Sequence, residues 1–125
     1  MQPIVSVDSG ALRGLRVGSV HHFLGVPYAH ASRFSEPRPP QAWSGVRDAV
    51  EYGPQAIQQA SGNGAGAASS ENCQFINIWT PSVDSGVRKP VMYYLHGSGF
   101  VGGSGGSGKN PCAAAARRWF FWRSG

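Results

Sequence analysis

Lys89-Pro90-Val91-Met92-Tyr93-Tyr94-Leu95-His96-Gly97-Ser98-Gly99-Phe100 is the stretch on which the fold turns. Val91 to Leu95 is apolar throughout, with no polar residue alternating along it. Such a run fits a strand buried on both faces, as in an α/β sheet, better than a half-solvated antiparallel strand. It leads without a spacer into a loop where seven of the twelve residues from 97 to 108 are glycine. The expectation is therefore an α/β domain with a glycine loop at the end of an inner strand.

Upstream, Gln74-Phe75-Ile76-Asn77-Ile78-Trp79-Thr80 is aromatic and β-branched, and Pro81 ends it, so a second strand is expected there. Ala60 to Ser70 holds only Ala, Ser, Gly and one Asn, the composition of a mobile loop. Four prolines between residues 25 and 45 (Pro27, Pro37, Pro39, Pro40) exclude regular helix or central strand from that segment. Ile4 to Val7, Ala11 to Val17 and Val20 to Leu24 read as short strands. The turn clusters Asp8-Ser9-Gly10 and Gly18-Ser19 separate them, which implies a small antiparallel sheet.

The chain has 125 residues, enough for one small domain. Its 18 glycines and 9 prolines, with only 14% charged residues, exclude a coiled coil, a helical bundle and a charge-rich disordered tail. No apolar run is long enough for a transmembrane helix, and the N-terminus lacks the basic start and apolar core of a signal peptide. A cytoplasmic protein with no membrane partner is expected. The net charge of +5 is concentrated at the end: Lys109, Arg117, Arg118 and Arg123 have no acidic neighbour beyond residue 108. Residues 1–108 carry seven basic and six acidic side chains, so no phosphate-tracking stripe and no nucleic-acid partner are expected. Cys73 and Cys112 are too few for a disulfide framework, and His21, His22, His30 and His96 lack metal-ligand spacing. Neither a cofactor nor a metal is expected.

Three nucleotide- or hydrolase-type patterns fall on the glycine loop. Gly97-x-Gly99-x-x-Gly102 matches the dinucleotide fingerprint, but glycines continue where its helix should begin, each about 1 kcal/mol worse than Ala in a helix. Gly103-x-x-x-x-Gly108-Lys109 approximates a phosphate loop, with Asn110 where Ser or Thr would hold magnesium and Pro111 lacking an amide donor. Gly102-Gly103-Ser104-Gly105-Gly106 satisfies G-x-S-x-G. That motif needs a strand running directly into the serine, and none precedes Gly102. Ser104 is therefore not expected to be a nucleophile. The bland alternative for the whole loop is a surface linker.

Taken in register, the segments resemble the N-terminal part of type B carboxylesterases, the α/β-hydrolase family of cholinesterases and para-nitrobenzyl esterases. Phe23-Leu24-Gly25-Val26-Pro27-Tyr28-Ala29 is similar to the family's F-x-G-I-P-Y-A. Arg33-Phe34, Pro37, Trp43, Asp48-Ala49 and Tyr52-Gly53-Pro54 follow in the family's order. Ser70 to Pro81 resembles S-E-D-C-L-x-L-N-I-W-T-P, and Pro90 to Phe100 resembles P-V-x-V-W-I-H-G-G-G-F. The resemblance spans about residues 4–105. It implies the N-terminal portion of an α/β-hydrolase fold: a small antiparallel N-terminal sheet plus the first strands of the central sheet, incomplete.

The resemblance also implies chemistry. Ester hydrolysis passes through a tetrahedral oxyanion, and the backbone N–H groups of Ser98 and Gly99 are the implied oxyanion donors. Ser98 stands where the family has glycine. His96 and Gly97 are expected to support the loop, Phe75 and Trp79 to be core, and Tyr28 and Arg33 to serve packing and a polar network. Asn72 replaces the family's Asp, so a buried ion pair with Arg33 is expected to be lost. Ala56 stands where the family has a cysteine partner for Cys73, which leaves Cys73 a free, semi-buried thiol.

Family members are several times longer, and the resemblance puts the nucleophile, acid and catalytic His beyond residue 125. Residues 1–108 are thus expected to be a truncated carboxylesterase domain. Residues 109–125 form an unmatched basic, aromatic tail in which Ala113 to Arg118 still resembles the family's next helix. A frameshift or sequencing error is the expected cause. The expected function is a fragment of a carboxylic ester hydrolase acting on a small-molecule ester, inactive alone. The alternatives are, from a different functional class, a non-catalytic binding or adhesion member of the family and, third, a nucleotide-binding module built on the glycine loop, whose affinity would depend on Lys109.

Overall fold

The computed structural model describes residues 2–59, 68–84, 86, 88–106 and 111–118. Ile4–Val7 (β1) and Gly10–Arg13 (β2) form an antiparallel hairpin, with Val7 opposite Gly10 across the Asp8-Ser9 turn. Gly10 must be bare. A Cβ there would lie 2.5 Å from the Trp43 indole nitrogen, which donates to the Ala11 carbonyl at 2.9 Å. The segment read as one strand from Ala11 to Val17 is divided at Gly14, where a Cβ would meet the His22 carbonyl oxygen at 2.4 Å. The second half, Leu15–Val17 (β3), instead pairs antiparallel with Val20–Pro27 (β4) through the Gly18-Ser19 turn.

Val46–Asp48 (β5) lies parallel to β2, giving a first sheet ordered β1-β2-β5. Its three exposed residues have no apolar alternation, which is why no strand was expected there. Backbone pairing holds the following residue: the Ala49 N–H donates to the Arg13 carbonyl at 2.7 Å, and the Leu24 N–H donates to the Ala49 carbonyl at 2.9 Å. Phe75–Thr80 (β6) pairs antiparallel with β4, completing a second sheet ordered β3-β4-β6. The expected strand over Gln74–Thr80 is thus present but for its first residue. The core sits where the two sheets meet: Leu12, Phe23, Val26 and Ala49, with Val5, Trp43 and Ile76 packed against them.

The β4–β6 register shifts between Phe23 and Val26. Gly25 lies in this irregularity at φ +63°, and its N–H donates to the Asn77 Oδ1 at 2.9 Å. Extra backbone length in one strand bends it and turns its pairing. Here the bend brings Gly25 against the Glu51 carbonyl, 2.5 Å from where a Cβ would stand. Cys112–Arg118 (α1) is the helix that the alanine run suggests, and it lies against β6 and β4 with Ala116 buried. Seven residues are too few for an independent helix in water, so packing holds it.

The inner strand expected over Val91–Leu95 is not formed. The segment has no ladder, and Val91, Tyr93 and Leu95 are 88%, 70% and 72% exposed. A strand buried on both faces needs neighbours in its sheet and cover above and below. Among the described residues no strand lies beside this one, so its apolar side chains remain in water. Residues 60–67 of the expected mobile loop lie outside the described residues. Its end is fastened, with the Gln55 N–H donating to the Ala68 carbonyl and the Ser70 N–H to the Gln55 carbonyl, both at 2.9 Å.

Candidate functional site

The glycine loop begins where the exposed 91–95 segment ends. Ser98, Gly99 and Phe100 all have left-handed backbones, at φ 116°, 59° and 64°. Left-handed geometry in succession turns the chain sharply, and the Val101 N–H closes the turn on the Ser98 carbonyl at 3.2 Å. Among the described residues, the N–H groups of Ser98 and Gly99 have no acceptor within the protein. Successive backbone N–H groups in such a turn form a concavity suited to an anion. Glycine adopts this geometry readily, whereas a residue with a Cβ does so at a cost of order 1–3 kcal/mol. Ser98 and Phe100 both bear it.

The base of the loop folds back on itself. His96 Nδ1 lies 3.0 Å from the Gly97 carbonyl oxygen, so Nδ1 carries the hydrogen and donates it. Gly103, at φ 112°, presses against both groups: its Cβ would lie 2.5 Å from His96 Nδ1 and 2.9 Å from the Gly97 oxygen. From 45 residues upstream, Gln58 holds Gly103 by two hydrogen bonds, a partner that nothing in the sequence signalled. Its side-chain NH2 donates to the Gly103 carbonyl at 3.0 Å, and the Gly103 N–H donates to its Oε1 at 2.7 Å. Ser104 is taken up locally, its Oγ accepting from the Gly106 N–H at 3.1 Å. It does not stand on a strand-to-helix turn.

The two flanks of the loop, His96 and Phe100 to Gly106, line a cleft of about 690 Å3 together with Tyr28, Phe75, Trp79 and Tyr94, whereas Ser98 and Gly99 at its tip do not. Phe75 and Trp79 are half-buried rather than core, and Trp79 meets the His22 ring edge-on at 6.2 Å. Tyr28 is 58% exposed and so is not the packing residue expected. Arg33 does have a carboxylate, but the partner is Glu71 and the pair is in solvent. Arg33 is thus not left without a charge partner by Asn72, which is exposed and whose neighbour Glu71 supplies the carboxylate. Cys73 is a free thiol of intermediate burial, as expected. Burial pushes the Cys112 thiol up. Burial, and secondarily the Arg16 guanidinium, hold His21 below the usual histidine range. Lys109 and residues 119–125, on which the phosphate-loop and tail readings rest, lie outside the described residues.

No helix among the described residues is long and apolar enough to cross a membrane. The carboxylesterase family model matches residues 1–117. Phenmedipham hydrolase of Pseudarthrobacter oxydans is 37% identical over 115 residues, covering 83% of this chain and 23% of that protein. Fumonisin B1 esterase of Sphingopyxis macrogoltabida is 39% identical over 104 residues, covering 78% of this chain and 19% of that protein. Among solved structures, the carboxylesterase of Geobacillus stearothermophilus superposes with a TM-score of 0.74 at 39% identity, over 83% of this chain and 21% of that one. A thermophilic PNB esterase superposes with a TM-score of 0.76 at 33% identity, over 83% and 23%. The chain thus spans about a quarter or less of the length of the curated relatives it matches.

Proposed function

The chain belongs to the carboxylesterase family, and from that premise we propose that it supplies the N-terminal part of a serine-type carboxylic ester hydrolase, including the oxyanion loop. The fold is the start of an α/β hydrolase, to which the solved carboxylesterases bear close likeness. The observation that carries the reading is the turn at Ser98–Val101, whose left-handed residues leave the Ser98 and Gly99 N–H groups without an acceptor among the described residues, between His96 and Phe100, which line an open cleft. When a nucleophile adds to an ester carbonyl, the oxygen gains negative charge, and preorganised N–H donors stabilise that charge more than they stabilise the ester. His96 and Gly97 act as supports of this loop, with His96 donating from Nδ1 to the Gly97 carbonyl.

The substrate class is a small-molecule carboxylic ester, in line with relatives that are named a hydrolase and an esterase. Nucleophilic catalysis needs a serine activated by a base that a carboxylate orients. Among the described residues Ser104 has neither strand-to-helix placement nor a base beside it, so the 125 residues alone should turn over no ester. The test is a graft: the matched N-terminal segment of the Geobacillus stearothermophilus carboxylesterase is replaced by residues 1–117 of this chain. The grafted enzyme should hydrolyse p-nitrophenyl acetate. A folded graft with no activity would refute the reading.

A further inference from the structure

We infer that Gln58 is a positioning residue for the oxyanion loop, holding Gly103 so that the Ser98 and Gly99 donors keep their aim. The inference rests on the function proposed above. Gln58 joins the loop to the body of the fold by both backbone groups of one loop residue. Gly103 offers one N–H and one carbonyl, and Gln58 meets them with one acceptor at 2.7 Å and one donor at 3.0 Å. A carboxamide is the uncharged side-chain group that presents donor and acceptor side by side, so it substitutes for a neighbouring strand. Its other amide hydrogen goes to the Ala56 carbonyl at 3.1 Å, which fixes the rotamer.

Gln58 is itself held from behind. Three residues upstream, Gln55 is clamped by backbone hydrogen bonds to Ala68 and Ser70. On the other side, Gly103 stands so close to His96 and the Gly97 carbonyl that no Cβ fits between them. A shift of Gly103 is therefore transmitted to His96 and Gly97, and from there to the N–H groups of the next two residues. The loop needs such a tether because its own left-handed residues are strained and its glycines resist nothing.

The test uses the grafted enzyme, since the loop is assayed only where a nucleophile is present. Gln58→Met keeps the length of the side chain and removes both hydrogen bonds to Gly103. We expect kcat for p-nitrophenyl acetate to fall by about tenfold, less than the 10²–10³-fold that follows outright loss of one oxyanion donor. KM should stay nearly unchanged, because the oxyanion forms only after the ester is bound. Affinity for a trifluoromethyl ketone, which forms a tetrahedral oxyanion on the enzyme, should weaken in parallel with kcat. Should Gln58→Met fail to fold, Gln58→Glu keeps the acceptor for the Gly103 N–H, loses the donor, and should show the same split. Unchanged kcat, or a rise in KM alone, would overturn the positioning role. A graft that folds with Gln58 intact but has no activity overturns the functional reading and this inference with it.

Discussion

Ser98 is the residue where sequence and geometry pull against each other. Its φ of 116° is a backbone conformation that side chains disfavour, and its neighbours Gly99 and Phe100 continue the left-handed turn. Strain of this kind persists only where surrounding contacts enforce it. Removing the side chain lets the loop rest in its working conformation, so Ser98→Gly in the grafted enzyme should raise kcat severalfold and leave KM nearly unchanged. Steady-state kinetics on p-nitrophenyl acetate decide this. A fall in KM at constant kcat would instead make Ser98 a wall of the acyl pocket with its donor already well placed. The loop itself was legible because glycines crowd residues 97–108 behind an apolar run. Gln58 was not, because its hydrogen bonds span 45 residues and use backbone atoms of a glycine, which leave no pattern in either segment.

Turns and close approaches decide the elements. The hairpins were legible, since β-branched residues alternate with Gly-containing turns and the turn residues do sit at the bends. The division at Gly14 and the short strand β5 were not, because both depend on what lies across the chain rather than along it. Gly25 shows the same dependence and can be tested against Gly18. Both are left-handed, at φ 63° each, but a Cβ at Gly18 meets nothing within 4 Å, whereas one at Gly25 meets the Glu51 carbonyl at 2.5 Å. The left-handed conformation alone costs a non-glycine residue about 1–2 kcal/mol. Forcing extra atoms into a filled site adds about 1–3 kcal/mol. Gly18→Ala should therefore cost about 1 kcal/mol and Gly25→Ala about 3 kcal/mol or more in the grafted enzyme. Thermal or urea unfolding of the two variants makes the comparison, and equal losses would show that the β4 bulge tolerates a methyl group.

For the whole molecule, the balance between buried and exposed apolar surface governs behaviour. Among the described residues only seven hydrophobic side chains are buried: Leu12, Val20, Phe23, Leu24, Val26, Ala49 and Ala116. A large aliphatic or aromatic side chain contributes about 1.5–3 kcal/mol on full burial. Ordering each residue's backbone costs about 1–2 kcal/mol, so this core is small for the length of chain it must hold. Meanwhile Val91, Tyr93, Leu95 and Phe100 stand in water, and β6 is an edge strand of its sheet among the described residues. Exposed apolar side chains and an open strand edge each invite association with other chains. Expressed alone, the 125-residue chain should therefore elute as soluble aggregates or precipitate, and should hydrolyse p-nitrophenyl acetate no faster than a heat-treated control. Placing charge on the exposed run, with Val91→Lys and Leu95→Lys together, should raise the soluble monomeric fraction, because these side chains contribute to no core that the substitution could damage. Size-exclusion chromatography with light scattering reads both outcomes. A native chain that is monomeric and melts in one sharp, reversible transition would mean that the exposed run is covered in solution and that the small core suffices.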